Sequence, residues 1–248
     1  MKNILRLITD LFCTPKCVCC GKLLNDSCMF LCDDCAVLWL SVKAEICPSC
    51  KKTCDVCECL PPLMKNQVRD ETYPIWCAFY DTSNRESVSS KLVFKLKSRE
   101  DSRLVRFIAL EMAAKITTAI RNASIDVLDV VITYAPRSRA SISKHGFDHA
   151  RKLAKEVAKI TKTEFQPLIK RVSGEVQKSL TYDERIENAA QSYEINAKMT
   201  AQVTKKHAFL IDDVITTGST LAACQSLLWI PSTAVTFLKT KPKSRKNF

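Results

Sequence analysis

Phe209-Leu210-Ile211-Asp212-Asp213-Val214-Ile215-Thr216-Thr217-Gly218-Ser219-Thr220-Leu221 runs, in one order, through an apolar stretch, a pair of acids and a hydroxyl-rich turn. Residues 208–211 read as a short buried strand and 220–228 as the opening of a helix. The turn between them therefore lies where backbone N–H groups lack intrahelical partners. A phosphate suits that place, because the helix dipole and the free N–H groups favour an anion. Thr216, Thr217, Ser219 and Thr220 add hydroxyl donors, and Gly218 permits a positive φ with close backbone approach. Asp212 and Asp213, acceptor-only when ionised, suit the vicinal hydroxyls of a ribose. The plainer reading, a strand-to-helix turn with a threonine cap, requires one hydroxyl and no acidic pair.

Outward from this element the pattern alternates. Residues 74–80 form an apolar, aromatic strand, and 87–96 and 103–120 carry apolar residues at helical spacing. Residues 127–134 are a β-branched run typical of a buried parallel strand. A loop follows at 135–146, then a helical pattern at 147–160, and strands at 165–170 and 233–238. Strands separated by helices predict an α/β domain with a mostly parallel sheet and a ligand site beyond the strand C-terminal ends. The strands 127–134 and 208–212 then end at one edge, so the loops that follow them meet over one ligand.

Cysteine usage divides the chain. Twelve of the 14 cysteines fall between Cys13 and Cys59, where Cys17-x2-Cys20, Cys32-x2-Cys35, Cys47-x2-Cys50 and Cys54-x2-Cys57 form knuckles, each able to turn two thiolates toward one tetrahedral zinc. The simplest assignment is two structural Zn2+ sites, Cys17, Cys20, Cys32 and Cys35 at one and Cys47, Cys50, Cys54 and Cys57 at the other. At the second, Cys59 is an alternative to Cys54 or Cys57. Cys13, Cys19 and Cys28 are surplus thiols. A catalytic zinc would keep an open position and histidine or carboxylate ligands, and no histidine precedes His145. Pro61 and Pro62 open a linker to residue 72, which gives an N-terminal helix and double zinc ribbon over 1–62 and an α/β domain over 73–248.

The net charge of +12 lies beyond residue 60, and the segment from Lys239 to Phe248 contains five basic residues and no acid. This favours anionic partners, although a solvated basic tail gives the same balance. The amphipathic start, residues 1–12, is interrupted by Arg6 and Asp10 and lacks a cleavage signature. No apolar run reaches spanning length, so the expected location is cytoplasmic.

The stretch from Asp212 to Thr220 resembles the signature by which type I phosphoribosyltransferases bind 5-phosphoribosyl pyrophosphate (PRPP). Most of the chain is similar to the ComF family, competence proteins that join N-terminal zinc ribbons to a phosphoribosyltransferase-like domain, and to the related GntX proteins. Lys144-His145-Gly146-Phe147-Asp148-His149-Ala150 resembles the family's Arg-Gly-Phe-Asn-Gln-Ala pattern, with His145 in place of Arg. Gln177-x2-Leu180, Glu184-Arg185-x2-Asn188 and Tyr193 match a second pattern, with Tyr193 in place of Phe. The resemblance implies a type I phosphoribosyltransferase fold, a pyrophosphate loop with Arg137, Arg139, Lys144 and His145, and a flap over residues 172–193 presenting Gln177, Arg185 and Asn188. It also implies Mg2+ entering with PRPP. Thr216 stands where purine-type enzymes place an acid, so the acceptor is unassigned, as is whether transfer occurs at all. Two functions follow. In one, a PRPP binder works in natural competence and DNA uptake, contacting single-stranded DNA and a partner helicase, with Tyr134, Phe147, Tyr182 and Tyr193 as candidate stacking residues. The other is nucleobase salvage with purely structural ribbons.

Overall fold

The structure, a computed structural model, describes residues 14–26, 29–65, 73–172, 191–200 and 204–241. Five strands form one parallel sheet, β1 (Ile75–Tyr80), β2 (Val130–Tyr134), β3 (Glu164–Phe165), β6 (His207–Ile215) and β7 (Ser232–Thr240), in the order β1-β7-β6-β2-β3. A separate antiparallel pair joins β4 (Ile169–Arg171) to β5 (Tyr193–Ile195). A short helix, α6 (Ala197–Thr200), follows β5. The alternation of strands and helices is the predicted one, and the two layers beside the sheet follow from the period of two along each strand. Val130, Ile132, Phe209, Ile211, Val235 and Phe237 enter the core formed with α2 (Val88–Ser98), α3 (Ser102–Asn122) and α5 (His149–Thr161). Val131, Ala208, Leu210 and Ala234 face the opposite way, into a smaller core with α7 (Ser219–Leu227) and the β4–β5 pair.

Local chemistry starts the helices on time. Ser87 accepts from Ser90 N, Asp101 from Arg103 N and Leu104 N, and Asp148 from Arg151 N. The helix after the N-terminal knuckles, α1 (Asp33–Lys43), docks through Trp39, stacked on Phe237 at 5.1 Å and edge-on to Phe107 at 5.9 Å. Its indole N–H donates to Glu111 at 3.1 Å.

Three predicted boundaries move. The strand expected over 127–134 begins only at Val130, because Asp126 accepts from Leu128 N and winds residues 127–129 into a 3-10 turn. The single strand expected over 165–170 splits at Pro167, which cannot donate to a ladder: Phe165 stays beside β2, and Ile169 pairs with Ile195. The loop expected over 135–146 contains a short helix, α4 (Arg139–His145). The expected linker also carries structure, since Pro62–Met64 form a 3-10 turn whose Met64 is buried.

The topology positions a crevice. From β2 the chain crosses outward to β3, and from β6 it crosses the other way to β7. The loops leaving the C-terminal ends of β2 and β6 therefore diverge, the place where ligands enter open parallel sheets.

Candidate functional site

β6 outruns β2. Pairing between them ends at Tyr134 with Ile211, and the N–H of Ala135 donates to the Ile211 carbonyl at 3.0 Å. Beyond that point β6 continues beside β7 alone, through Asp212 with Thr236 to Ile215 with Lys239. The vacated edge is a cavity of about 320 Å³, lined by Asp212, Asp213, Thr216 and Thr220 from β6 and its turn, Arg137 from the loop after β2, Lys97 from α2, and Arg171 and Tyr193 from the β4–β5 pair.

The two aspartates do different work. The Oδ2 of Asp213 lies 3.1 Å from Lys97 Nζ, 3.3 Å from an Arg137 guanidinium nitrogen and 3.1 Å from His149 Nε2. Its Oδ1 accepts from Val214 N at 2.9 Å. Burial opposes the charge, but the His149 contact, Lys97 and Arg137 outweigh it and hold Asp213 well below the ordinary carboxylate range. Asp212 has the reverse balance. Burial, followed by the adjacent Asp213 charge, pushes its carboxyl well above the usual value, and its Oδ1 accepts from Asp213 N at 2.8 Å. Asp213 thus binds the cation cluster together, and Asp212 is the acid whose charge a ligand donor would relieve.

The turn after β6 has the expected shape. Gly218 takes φ +85° and precedes α7 with no side-chain cap, so the helix N-terminus is left to other partners. Thr216, Gly218, Ser219 and Thr220 line a smaller recess beside Asp212, while the Thr217 hydroxyl turns to Ser219 at 3.3 Å. The hydroxyl turn, the acid pair and Arg137 therefore meet at one end of the sheet.

Other expected residues fall elsewhere. Arg139 is exposed on α4 and does not line the cavity. The side chains of Lys144 and His145, on the same helix, are outside what is described, as are Gln177, Arg185 and Asn188. Tyr134, Phe147 and Tyr193, considered as stacking residues, are buried in packing, and Tyr182 lies outside the described residues. Tyr193 accepts from Arg171 at 3.0 Å, and burial pushes its phenol up to about 12. Sequence reasoning did not assign Lys97, Arg171 or His149 to the site. Lys97 reads as one more surface lysine until α2 is seen to end over β6. His149 was legible only as part of a motif.

The cysteines form two clusters. Cys17, Cys20, Cys32 and Cys35 bring their sulfurs within 4.8 Å of one another, as do Cys47, Cys50, Cys57 and Cys59. This corrects the second ligand set: Cys59 takes the place of Cys54, whose thiol is turned away toward the carbonyls of Cys77 at 3.3 Å and Lys43 at 3.6 Å. The two knuckles repeat one backbone pattern. Cys17 N and Cys47 N each donate to the residue five further on at 2.8 Å, and Gly21 N and Lys51 N return to them at 2.9 Å. Sulfur separations of 3.6 Å for Cys20 with Cys32 and Cys50 with Cys57 are close to the ~3.8 Å edge of a tetrahedron with 2.3 Å zinc–sulfur bonds. At Cys17 and Cys47 burial disfavours the thiolate, yet neighbouring backbone N–H groups outweigh it and leave both at about 7. All-sulfur donor sets of this spacing fit structural zinc. Cys19 is buried outside the four, and Cys13 and Cys28 lie outside the described residues.

The sequence matches no protein-family model and no curated protein. Among the described residues no helix is long and apolar enough to cross a membrane.

Proposed function

We propose that the chain is a PRPP-binding protein of the type I phosphoribosyltransferase kind, with the ComF family as its relatives. The observation that carries this reading is the convergence of Asp212, Arg137 and the turn around Gly218 on one polar cavity at the switch point of the sheet. The 5-phosphate takes the turn, the ribose hydroxyls donate to Asp212, and the diphosphate meets Arg137 and Lys97, which Asp213 holds in place. Mg2+ accompanying the diphosphate would draw on Asp212, since Asp213 is committed to cations, and when bound would screen the phosphate charge. If transfer occurs, the bond from the anomeric carbon to the diphosphate oxygen breaks, the diphosphate leaves with that electron pair, and an acceptor adds at the same carbon. The chain contributes position and fixed charge.

The biological setting we propose is natural competence: DNA uptake in the cytoplasm, with contact to single-stranded DNA and a helicase partner. The motif resemblance and the net charge of +12 support it. So does Phe94, 72% exposed on α2, a helix that also carries Lys91, Lys95 and Lys97. Oligonucleotide binding across a salt series, alongside pyrophosphate release with each nucleobase, tests the setting. Binding whose logarithm falls linearly with log salt, without base-dependent release, is expected. Base-dependent release without oligonucleotide binding would instead make the protein a salvage enzyme.

A further inference from the structure

The second cysteine cluster is tied to the turn around Gly218 by two routes. The first is covalent. Two residues after Cys59 the chain enters Pro61 and the 3-10 turn Pro62–Met64, where Leu63 N donates to the Thr217 carbonyl at 3.0 Å. A Cβ on Gly218 would lie 2.6 Å from Met64 Cγ and 3.2 Å from both its sulfur and Pro61 Cβ. The outer wall of the turn is therefore this strap, held down by Met64, which is 2% exposed. The second route runs through Lys239. It is 4% exposed, donates through Nζ to the Cys59 carbonyl, and lies 3.9 Å from Cys57 Sγ and 4.0 Å from the centre of the Trp76 ring. Its backbone pairs with Ile215, the last residue before the turn.

A buried ammonium requires compensating charge. Four thiolates around one divalent cation leave a net charge of about −2, and Lys239 is the cation the fold sets against it. Among the described residues nothing comparable links the first cluster to the turn: Cys17, Cys32 and Cys35 pack into the helix-side core and Cys20 is exposed.

We infer that Met64 and Lys239 are positioning residues for the turn, and that metal at Cys47, Cys50, Cys57 and Cys59 holds the strap that gives the turn its binding shape. The inference rests on reading that turn as the phosphate site. Loss of this one metal loosens the turn, and loss of the other does not.

The test is hydrogen–deuterium exchange of the full chain over the segment that includes Thr216 to Leu221, combined with zinc content and PRPP titration. Cys59→Ser should lose one zinc and raise exchange in the turn by on the order of tenfold, whereas Cys20→Ser should lose one zinc and leave the turn unchanged. Should Cys59→Ser fail to fold, Lys239→Met and Met64→Ala keep every metal ligand and should raise exchange in the same segment, with Met64→Leu restoring protection. PRPP affinity should fall with exchange, by about tenfold in Met64→Ala. Unchanged exchange in folded Met64→Ala and Lys239→Met would overturn the inference. If the wild-type chain binds no PRPP, the phosphate reading fails, while the exchange data still decide whether the strap supports the turn.

Discussion

Asp213→Asn removes the charge that faces Lys97, Arg137 and the His149 ring and leaves the backbone contact from Val214 available to the amide oxygen. His149 is fully buried, the Arg137 side chain is 24% exposed and that of Lys97 is 39% exposed. Removing one partner of a buried ion pair costs about 3–5 kcal/mol. Solvent screens Lys97, so its share is below about 1 kcal/mol, and a total of about 3 kcal/mol is expected. Asp212→Asn has the opposite sign: it replaces a carboxyl whose ionisation burial and the Asp213 charge oppose and should stabilise the fold by on the order of 1 kcal/mol, while exchanging one of its two ribose acceptors for a donor. Urea unfolding at neutral pH measures both. The pH dependence separates them further. Because Asp213 is depressed below its unfolded value of about 3.9, its contribution is fully present above that pH and is lost only as pH falls through the lower folded value. Asp212 is raised, so its penalty is absent below about pH 3.9 and grows as pH rises through the folded value. Equal destabilisation by the two substitutions, or a neutral Asp213→Asn, would refute this division of roles.

Metal analysis should find two zinc ions per chain, with one lost in Cys57→Ser and none in Cys54→Ser; retention of both in Cys57→Ser would defeat the ligand set. Trp39→Ala should cost about 3–5 kcal/mol, since it empties the contact of α1 with Phe237 and Phe107; a urea midpoint close to wild type would show that α1 docks by other means. Phe94→Ala should weaken single-stranded oligonucleotide binding by about 1–3 kcal/mol without changing the unfolding midpoint, and unchanged affinity in a filter or fluorescence titration would exclude that ring.

What the sequence made legible was the part that depends on local order. The stretch from Ala208 to Thr220 announced a strand, an acid pair and an anion-suited turn because each feature is written in neighbouring residues. The knuckles at Cys17 and Cys47 were likewise fixed by spacing. Features set by distant partners were not legible. Cys59 rather than Cys54 enters the second cluster because Cys54 is drawn to the Cys77 carbonyl, on a strand far along the chain. Lys97, Arg171 and His149 join Asp213 and its cavity only once the sheet order is known. The different protonation behaviour of Asp212 and Asp213 arises from which of two adjacent carboxylates points at the cations, and no pattern of residues encodes that direction.

Calorimetric titration of the full chain with PRPP and Mg2+ decides whether the crevice beside Asp212 and Asp213 is a PRPP site. A saturable site, one per chain, is expected for the wild type and should be absent from the Asp212→Ala/Asp213→Ala double variant while its circular dichroism remains that of a folded α/β protein. Saturable binding that persists undiminished in the double variant, or no binding by the wild type, would contradict the account.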